Sequence, residues 1–327
     1  MKTHHYSLRH TLRALLAALA MLSLCACSDS TPAPSADGST PGAEAGATTD
    51  QGGGADAGDA APGLDAPQNT NGLPVGTPTL FVNLGDSIAA GSGAPKGQGY
   101  APLLFKNNDT AYPEYAGKDL STRFAGIQIA DHAKGGAQSK DLPGQLAQVP
   151  SNPSGDTFVV VSIGGNDLQA NLPALFNSDA TRNIAEQVKT NFQAVLDHFA
   201  DKAKYGGKVV IVWFTVYDPS DSEGNIPSDK QVSGSCILLK TLGNQAMSDN
   251  LDRFNKELGN LARANANLYQ LDVHGAFLGH GFHYDDTAAK HYNASDPTLW
   301  FANDCIHPNP RGHHELRRLI WEQLPAK

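Results

Sequence analysis

Long apolar runs are nearly absent from this 327-residue chain, in which hydrophobic residues make up 40% and charged residues 17%. Only one run, close to the N-terminus, approaches membrane length. A protein that crosses a membrane several times is therefore excluded. Basic residues are few as well. Lys and Arg number 24 against 33 Asp and Glu, for a formal charge of −9, and a leader holding Lys2, Arg9 and Arg13 but no acid makes the remainder more acidic once removed. Nucleic acid and anionic surfaces are poor partners for such a chain. Between Ser28 and Gly76 there is no aromatic residue and no Lys or Arg, only Gly, Ala, Pro, Ser, Thr, acids and a few others. A stretch of that composition buries too little to offset the entropy of ordering it, so it is expected to carry no chemistry.

The N-terminus has a cationic start, eleven mostly apolar residues from Ala14 to Leu24, and then Cys25, Ala26 and Cys27. That is the pattern of a secretory leader, too short to remain as a span. Leu24-Cys25-Ala26-Cys27 resembles the bacterial lipobox. The resemblance implies a signal peptide over residues 1–26 and lipid attachment at Cys27, whose acyl chains would anchor an exported protein stably to a membrane. For a Gram-negative lipoprotein, which this motif resembles, Ser28 after that cysteine implies the outer membrane. Residues 27–76 then read as a flexible tether and residues 77–327 as one folded domain with a single core.

Within that domain, β-branched or apolar runs recur at Leu80–Leu84, Ile127–Ile129, Phe158–Ile163, Val209–Phe214 and Leu268–Leu271. The segments between them are long enough for helices, which is the spacing of βα units. Ile184, Val188, Phe192, Val195, Leu196 and Phe199 form a stripe at intervals of three and four, the mark of a helix with one buried face. Leu316, Leu319 and Ile320 repeat it after Asn309-Pro310, a helix start. The expectation is an α/β fold of three layers, α/β/α, with a doubly wound parallel sheet of about five strands.

In such a sheet, ligands sit beyond the carboxyl ends of the strands. Gly85-Asp86-Ser87 follows the first run, Gly135-Gly136-Ala137-Gln138-Ser139 comes shortly after the second, and Gly164-Gly165-Asn166-Asp167 follows the third. Asp304-Cys305-Ile306-His307 lies near the C-terminus. A serine needs a base to become a nucleophile, and a carboxylate three residues before a histidine can hold its imidazole in one tautomer. These four pieces, in this order over Thr77–Lys327, resemble the SGNH hydrolase (GDSL esterase/lipase) superfamily, whose fold is flavodoxin-like. No serine is flanked as Gly-x-Ser-x-Gly, so the nucleophile elbow of the α/β-hydrolases is absent. The resemblance implies Ser87 as nucleophile, His307 as base and Asp304 as its orienter. It also implies an oxyanion hole from the Ser87 and Gly136 N–H groups and the Asn166 amide. Asp86 and Asp167 read as turn or helix-capping carboxylates.

Beyond Cys27 only Cys236 and Cys305 remain, and an exported chain meets an oxidising compartment, so a disulfide between them is expected. It would pin the loop carrying Asp304 and His307. His274, His280, His283 and His291, with Asp285 and Asp286, lack the helical spacing of the zinc-protease motif and read as structural or cleft-lining. Trp300-Phe301 is a candidate wall of a substrate groove, and the polar Tyr217–Ser235 stretch a candidate rim or lid. The expected function is hydrolysis of a carboxylic ester, from an acyl lipid or an O-acetylated glycan, with no metal or organic cofactor required. The competing readings are a non-catalytic surface lipoprotein that binds glycan or lipid on the same fold, and a metal-dependent hydrolase using the histidines.

Overall fold

The computed structural model describes residues 72–234 and 236–325. The signal peptide over residues 1–26, Cys27 and the tether up to residue 71 lie outside the described residues. Five strands form one sheet: β1 (Pro78–Gly85), β2 (Gln128–Asp131), β3 (Asp156–Ser162), β4 (Val209–Phe214) and β5 (Leu268–Leu271). All pairs are parallel and the order is β2-β1-β3-β4-β5. The helices are α1 (Tyr100–Phe105), α2 (Leu120–Arg123), α3 (Leu142–Leu146), α4 (Gly165–Gln169), α5 (Ser178–Ala200), α6 (Cys236–Leu242), α7 (Gln245–Ala264), α8 (Val273–Phe277) and α9 (Pro310–Glu322).

The sheet is covered on both faces because alternate residues of each strand point to opposite sides. Phe81, Phe158, Val160, Val210 and Val212 share one cluster with Tyr100 and Leu104 of α1 and Leu316 and Ile320 of α9. Leu80, Val82, Val159, Val161, Ile211 and Trp213 pack on the other face against Leu142 of α3, the α5 stripe and Phe254 of α7. The α5 stripe from Ile184 to Phe199 is buried as its spacing requires, and Asn177 caps the helix by accepting from the Asp179 and Ala180 N–H groups. Asn309 caps α9 through Gly312 N–H, with Pro310 in the first turn. The three-layer α/β architecture is thus the one expected.

One boundary is corrected. Leu73 and Val75, assigned to the tether, are 4% and 1% exposed and belong to the core beside Leu324, and Leu73 N–H donates to Gln323 O at 2.5 Å. Two apolar side chains suffice to dock a segment whose average composition is that of a spacer.

Candidate active site

A strand order of 2-1-3-4-5 reverses direction between β1 and β3, which opens a crevice at their carboxyl ends. Ser87 leaves β1 there and Asn166 leaves β3. Gly85 ends β1 at φ +126°, paired with Ser162, and a Cβ on it would lie 1.9 Å from Ser162 O, so glycine is obligatory. Gln145 of α3 braces this residue twice, accepting from Gly85 N–H at 2.8 Å and donating to Gly85 O at 2.8 Å. The chain then turns through Asp86, whose carboxylate accepts from Ile88 N–H at 3.0 Å and Ser162 Oγ at 3.2 Å. Burial pushes the Asp86 carboxyl up to about 7, against these hydrogen bonds. Asp86 is therefore the turn carboxylate that the sequence suggested.

Ser87 is 8% exposed, and its Oγ lies 2.8 Å from His307 Nε2. His307 Nδ1 lies 2.7 Å from Asp304 Oδ2, while Asp304 Oδ1 accepts from the N–H groups of Ile306 and His307, each at 3.0 Å. Desolvation pushes Asp304 up, yet the hydrogen bonds from His307 and Ile306 outweigh it and hold the carboxylate below its usual range. A proton on Nδ1 is thereby fixed toward Asp304, which leaves Nε2 to accept from the serine.

The loop that carries this pair closes on itself. Phe301 bridges Pro308, and Ala302 N–H donates to His307 O at 2.8 Å. From outside, the disulfide Cys236–Cys305 ties it to the start of α6, with Cα atoms 5.7 Å apart. Ser233 N–H donates to Asn303 O at 2.8 Å, and the buried Tyr217 hydroxyl donates to Ile306 O. Cys305 itself sits at φ +51°, in the left-handed region.

Opposite the histidine, Asn166 Nδ2 donates to Ala137 O at 3.0 Å, which orients the amide and leaves its second N–H available. Gln138 returns the contact by donating to Asn166 O at 3.2 Å. Among the described residues, neither the Ser87 nor the Gly136 N–H donates to another protein group. A Cβ on Gly136 would meet nothing within 4 Å, so this backbone faces open space. A cleft of about 520 Å³ opens beside Gly136, lined by His132, Lys134, Asp141 and Gln148 among others. Asp167, in the first turn of α4, reaches across to a second loop. It accepts from Ser139 N–H at 3.0 Å and Ser139 Oγ at 2.7 Å, joining the loop after β2 to the loop after β3.

Other expectations shift. Trp300 and Phe301 are 4% and 1% exposed and form no groove wall: Trp300 stacks on His280 at 3.5 Å, and Phe301 packs edge-on against Tyr217 and Phe277. The Tyr217–Ser235 stretch divides: Asp218 and Asp221 near its start are buried, whereas residues 227–234 are exposed or half-buried. Asp221 accepts from the N–H groups of Gly279, Gly281 and His283 at 2.7–2.9 Å, and burial pushes it up to about 6. The four histidines are dispersed into structural contacts. His274 pairs with Asp252 at 3.1 Å, the His280 ring meets Thr298 O at 3.1 Å, His283 reaches Asn225 O at 3.0 Å, and His291 is half-buried. Among the described residues no group of three or more His, Cys, Asp or Glu converges as a metal site. Sequence reasoning gave no role to Gln145, Tyr217 and Asp221 and did not foresee the Ser139–Asp167 contact, because these partners are all distant in the chain.

A family model described as GDSL-like lipase/acylhydrolase matches residues 84–315. Among solved structures, the chain is similar to the lipase Lip_vut3 from a goat rumen metagenome, with 13% identity, a TM-score of 0.48, and 75% of this chain and 96% of that chain covered. It is also similar to Axe2, an acetylxylan esterase from Geobacillus stearothermophilus, with 19% identity, a TM-score of 0.44, and coverage of 77% and 97%. A lipolytic G-D-S-L family protein from Veillonella parvula has 14% identity, a TM-score of 0.44, and coverage of 74% and 96%. No curated protein matches the chain by sequence.

Proposed function

The chain belongs to the GDSL-like lipase/acylhydrolase family and is a carboxylic ester hydrolase, and on that premise we propose that it works through an acyl-enzyme formed on Ser87. The observation that carries this reading is the unbroken run of hydrogen bonds from Asp304 through His307 to Ser87, at 2.7 and 2.8 Å. Ser87 Oγ attacks the ester carbonyl while His307 Nε2 takes its proton, and Asp304 stabilises the imidazolium. The developing oxyanion sits among the N–H groups of Ser87 and Gly136 and the Asn166 amide. His307 then returns the proton to the leaving alcohol. Water, deprotonated by the same imidazole, attacks the acyl-enzyme and releases the acid with Ser87 restored. Nothing in this sequence of steps calls for a metal or organic cofactor.

The ester acted on is that of an acyl lipid or an O-acetylated glycan. We further propose that the protein is exported and held at the outer membrane through lipid on Cys27. The Cys236–Cys305 disulfide supports export, since it belongs to an oxidising compartment. Hydrolysis of p-nitrophenyl esters graded from acetyl to palmitoyl, by the full chain and by Ser87→Ala, tests the mechanism. Turnover that disappears in the variant is expected, and the chain length at which the rate peaks separates a deacetylase from a lipase. Equal rates in both proteins would refute the serine mechanism, and an inert wild type would favour the binding lipoprotein.

A further inference from the structure

Acylation raises a mechanical problem. Once Ser87 Oγ carries the acyl group, the 2.8 Å hydrogen bond between Ser87 and His307 is lost, and the histidine must still stand in place to activate water. Something other than the reactive hydrogen bond has to fix the distance between the two loops.

His313, on α9 and 0% exposed, lies where such a connection is needed. Its Nδ1 accepts from Tyr100 N–H, at the start of α1, at 3.3 Å. That places the proton on Nε2, which donates to Ser92 O at 2.8 Å. Ser92 N–H in turn donates to Ser87 O at 2.9 Å. On the other side, His313 N–H donates to Asn309 O at 2.9 Å, and Asn309 follows His307 by two residues. Next to Ser92, Gly93 touches the base loop: a Cβ on it would stand 2.9 Å from His307 Cβ and 2.1 Å from Pro308 O. A path of hydrogen bonds and backbone therefore runs from Ser87 through Ser92, His313 and Asn309 to His307 without passing through the reacting atoms.

We propose that His313 is a positioning residue that holds the nucleophile loop against the base loop through the whole catalytic cycle, an inference that rests on the Ser87–His307 mechanism above. Its ring does this only while one nitrogen accepts and the other donates. Burial, together with the repulsion of a charged His307, lowers its basicity to about 4 and keeps it in that neutral form when His307 is protonated. A small displacement of a reacting group costs up to about 100-fold in rate, so loss of the bridge should act on turnover far more than on substrate binding.

The test compares full-chain wild type, His313→Phe and His313→Gln on a p-nitrophenyl ester, with Ser87→Ala alongside and with thermal unfolding of each. His313→Phe keeps the ring volume without either hydrogen bond, whereas His313→Gln retains an amide N–H for Ser92 O. The expected result is a kcat about 10- to 100-fold lower for His313→Phe with KM within twofold, and recovery of most of that loss by His313→Gln. Should His313→Phe fail to fold, His313→Asn, which is polar but too short to reach Ser92 O, replaces it with the same expected loss. A folded variant lacking the bridge but with wild-type kcat overturns the proposal, as does a glutamine variant no better than phenylalanine. If Ser87→Ala keeps turnover, it is the serine mechanism that fails, and if only the His313 variants keep it, the positioning role alone fails.

Discussion

Removing the disulfide with the pair Cys236→Ala and Cys305→Ala should separate stability from catalysis. The two cysteines are 69 residues apart in sequence, and closing a loop of that length restricts the unfolded chain by about 4 kcal/mol in the chain-entropy model. For a domain of this size each kcal/mol moves the melting temperature by about 2–4 °C, so a fall of about 10 °C is expected by calorimetry. Domains of this kind have about 5–15 kcal/mol in hand, so the variant should still fold at 25 °C. The loop carrying Asp304 and His307 keeps its other ties in that variant: the Tyr217 hydroxyl on Ile306 O, Ser233 N–H on Asn303 O, and the Phe301–Pro308 bridge. Turnover at 25 °C should therefore fall less than about tenfold, equivalent to about 1.4 kcal/mol of transition-state stabilisation. An unchanged melting temperature would refute the loop-closure argument. A folded variant with no activity would show that the hydrogen bonds do not hold Asp304 and His307 without the covalent tie.

Three further outcomes follow from the same geometry. Asn166→Ala removes one proposed oxyanion donor and should lower kcat by about 10²- to 10³-fold with little change in KM, which steady-state kinetics on a single ester would check. Asp86 is raised to about 7 in the folded chain, so the native state holds more protons than the unfolded state between pH 4 and 7, and stability from this group declines as pH rises through that window. Asp86→Asn removes that decline, so its melting temperature relative to wild type should climb from pH 4 to pH 8, and a flat difference would contradict the assignment. A chain beginning at Thr77 forfeits the burial of Leu73 and Val75, at about 1.5–3 kcal/mol each, and should have a lower urea midpoint than the full chain.

The central strands were legible because a parallel sheet covered on both faces needs apolar runs there, and Val209–Phe214 matches its strand end to end, whereas the edge strand β2, with one buried residue, runs Gln128–Asp131 instead of Ile127–Ile129. The candidate site was legible for a related reason: each of its parts is a short local loop directly after a strand or before a helix, so a few adjacent residues identify it. What could not be read was the direction in which a side chain faces when no period governs it. Trp300 and Phe301 look like a groove wall by composition and are core by packing. The segment after β4 looks like a solvated rim, yet Asp221 turns inward because three backbone N–H groups of a distant loop converge on it.

The same distinction separates the groups proposed to react from the groups that hold them. Ser87, Asn166, Asp304 and His307 come from three loops and meet only because the sheet places the carboxyl ends of β1 and β3 side by side. Their spacing is then set by residues with no motif of their own. Gln145 fixes the end of β1, Asp167 joins the loop after β2 to the loop after β3 through Ser139, and Tyr217 and Cys236 hold the loop carrying Asp304 and His307 from outside. Each is a polar or sulfur atom buried against a backbone group or another loop, where an unpaired partner would cost about 1–3 kcal/mol. Such contacts are therefore difficult to break one at a time without a measurable penalty. A hydrolase must keep its base within hydrogen-bond reach of both an alcohol and a water, and a frame of this kind leaves the loops little freedom to drift apart between the two steps.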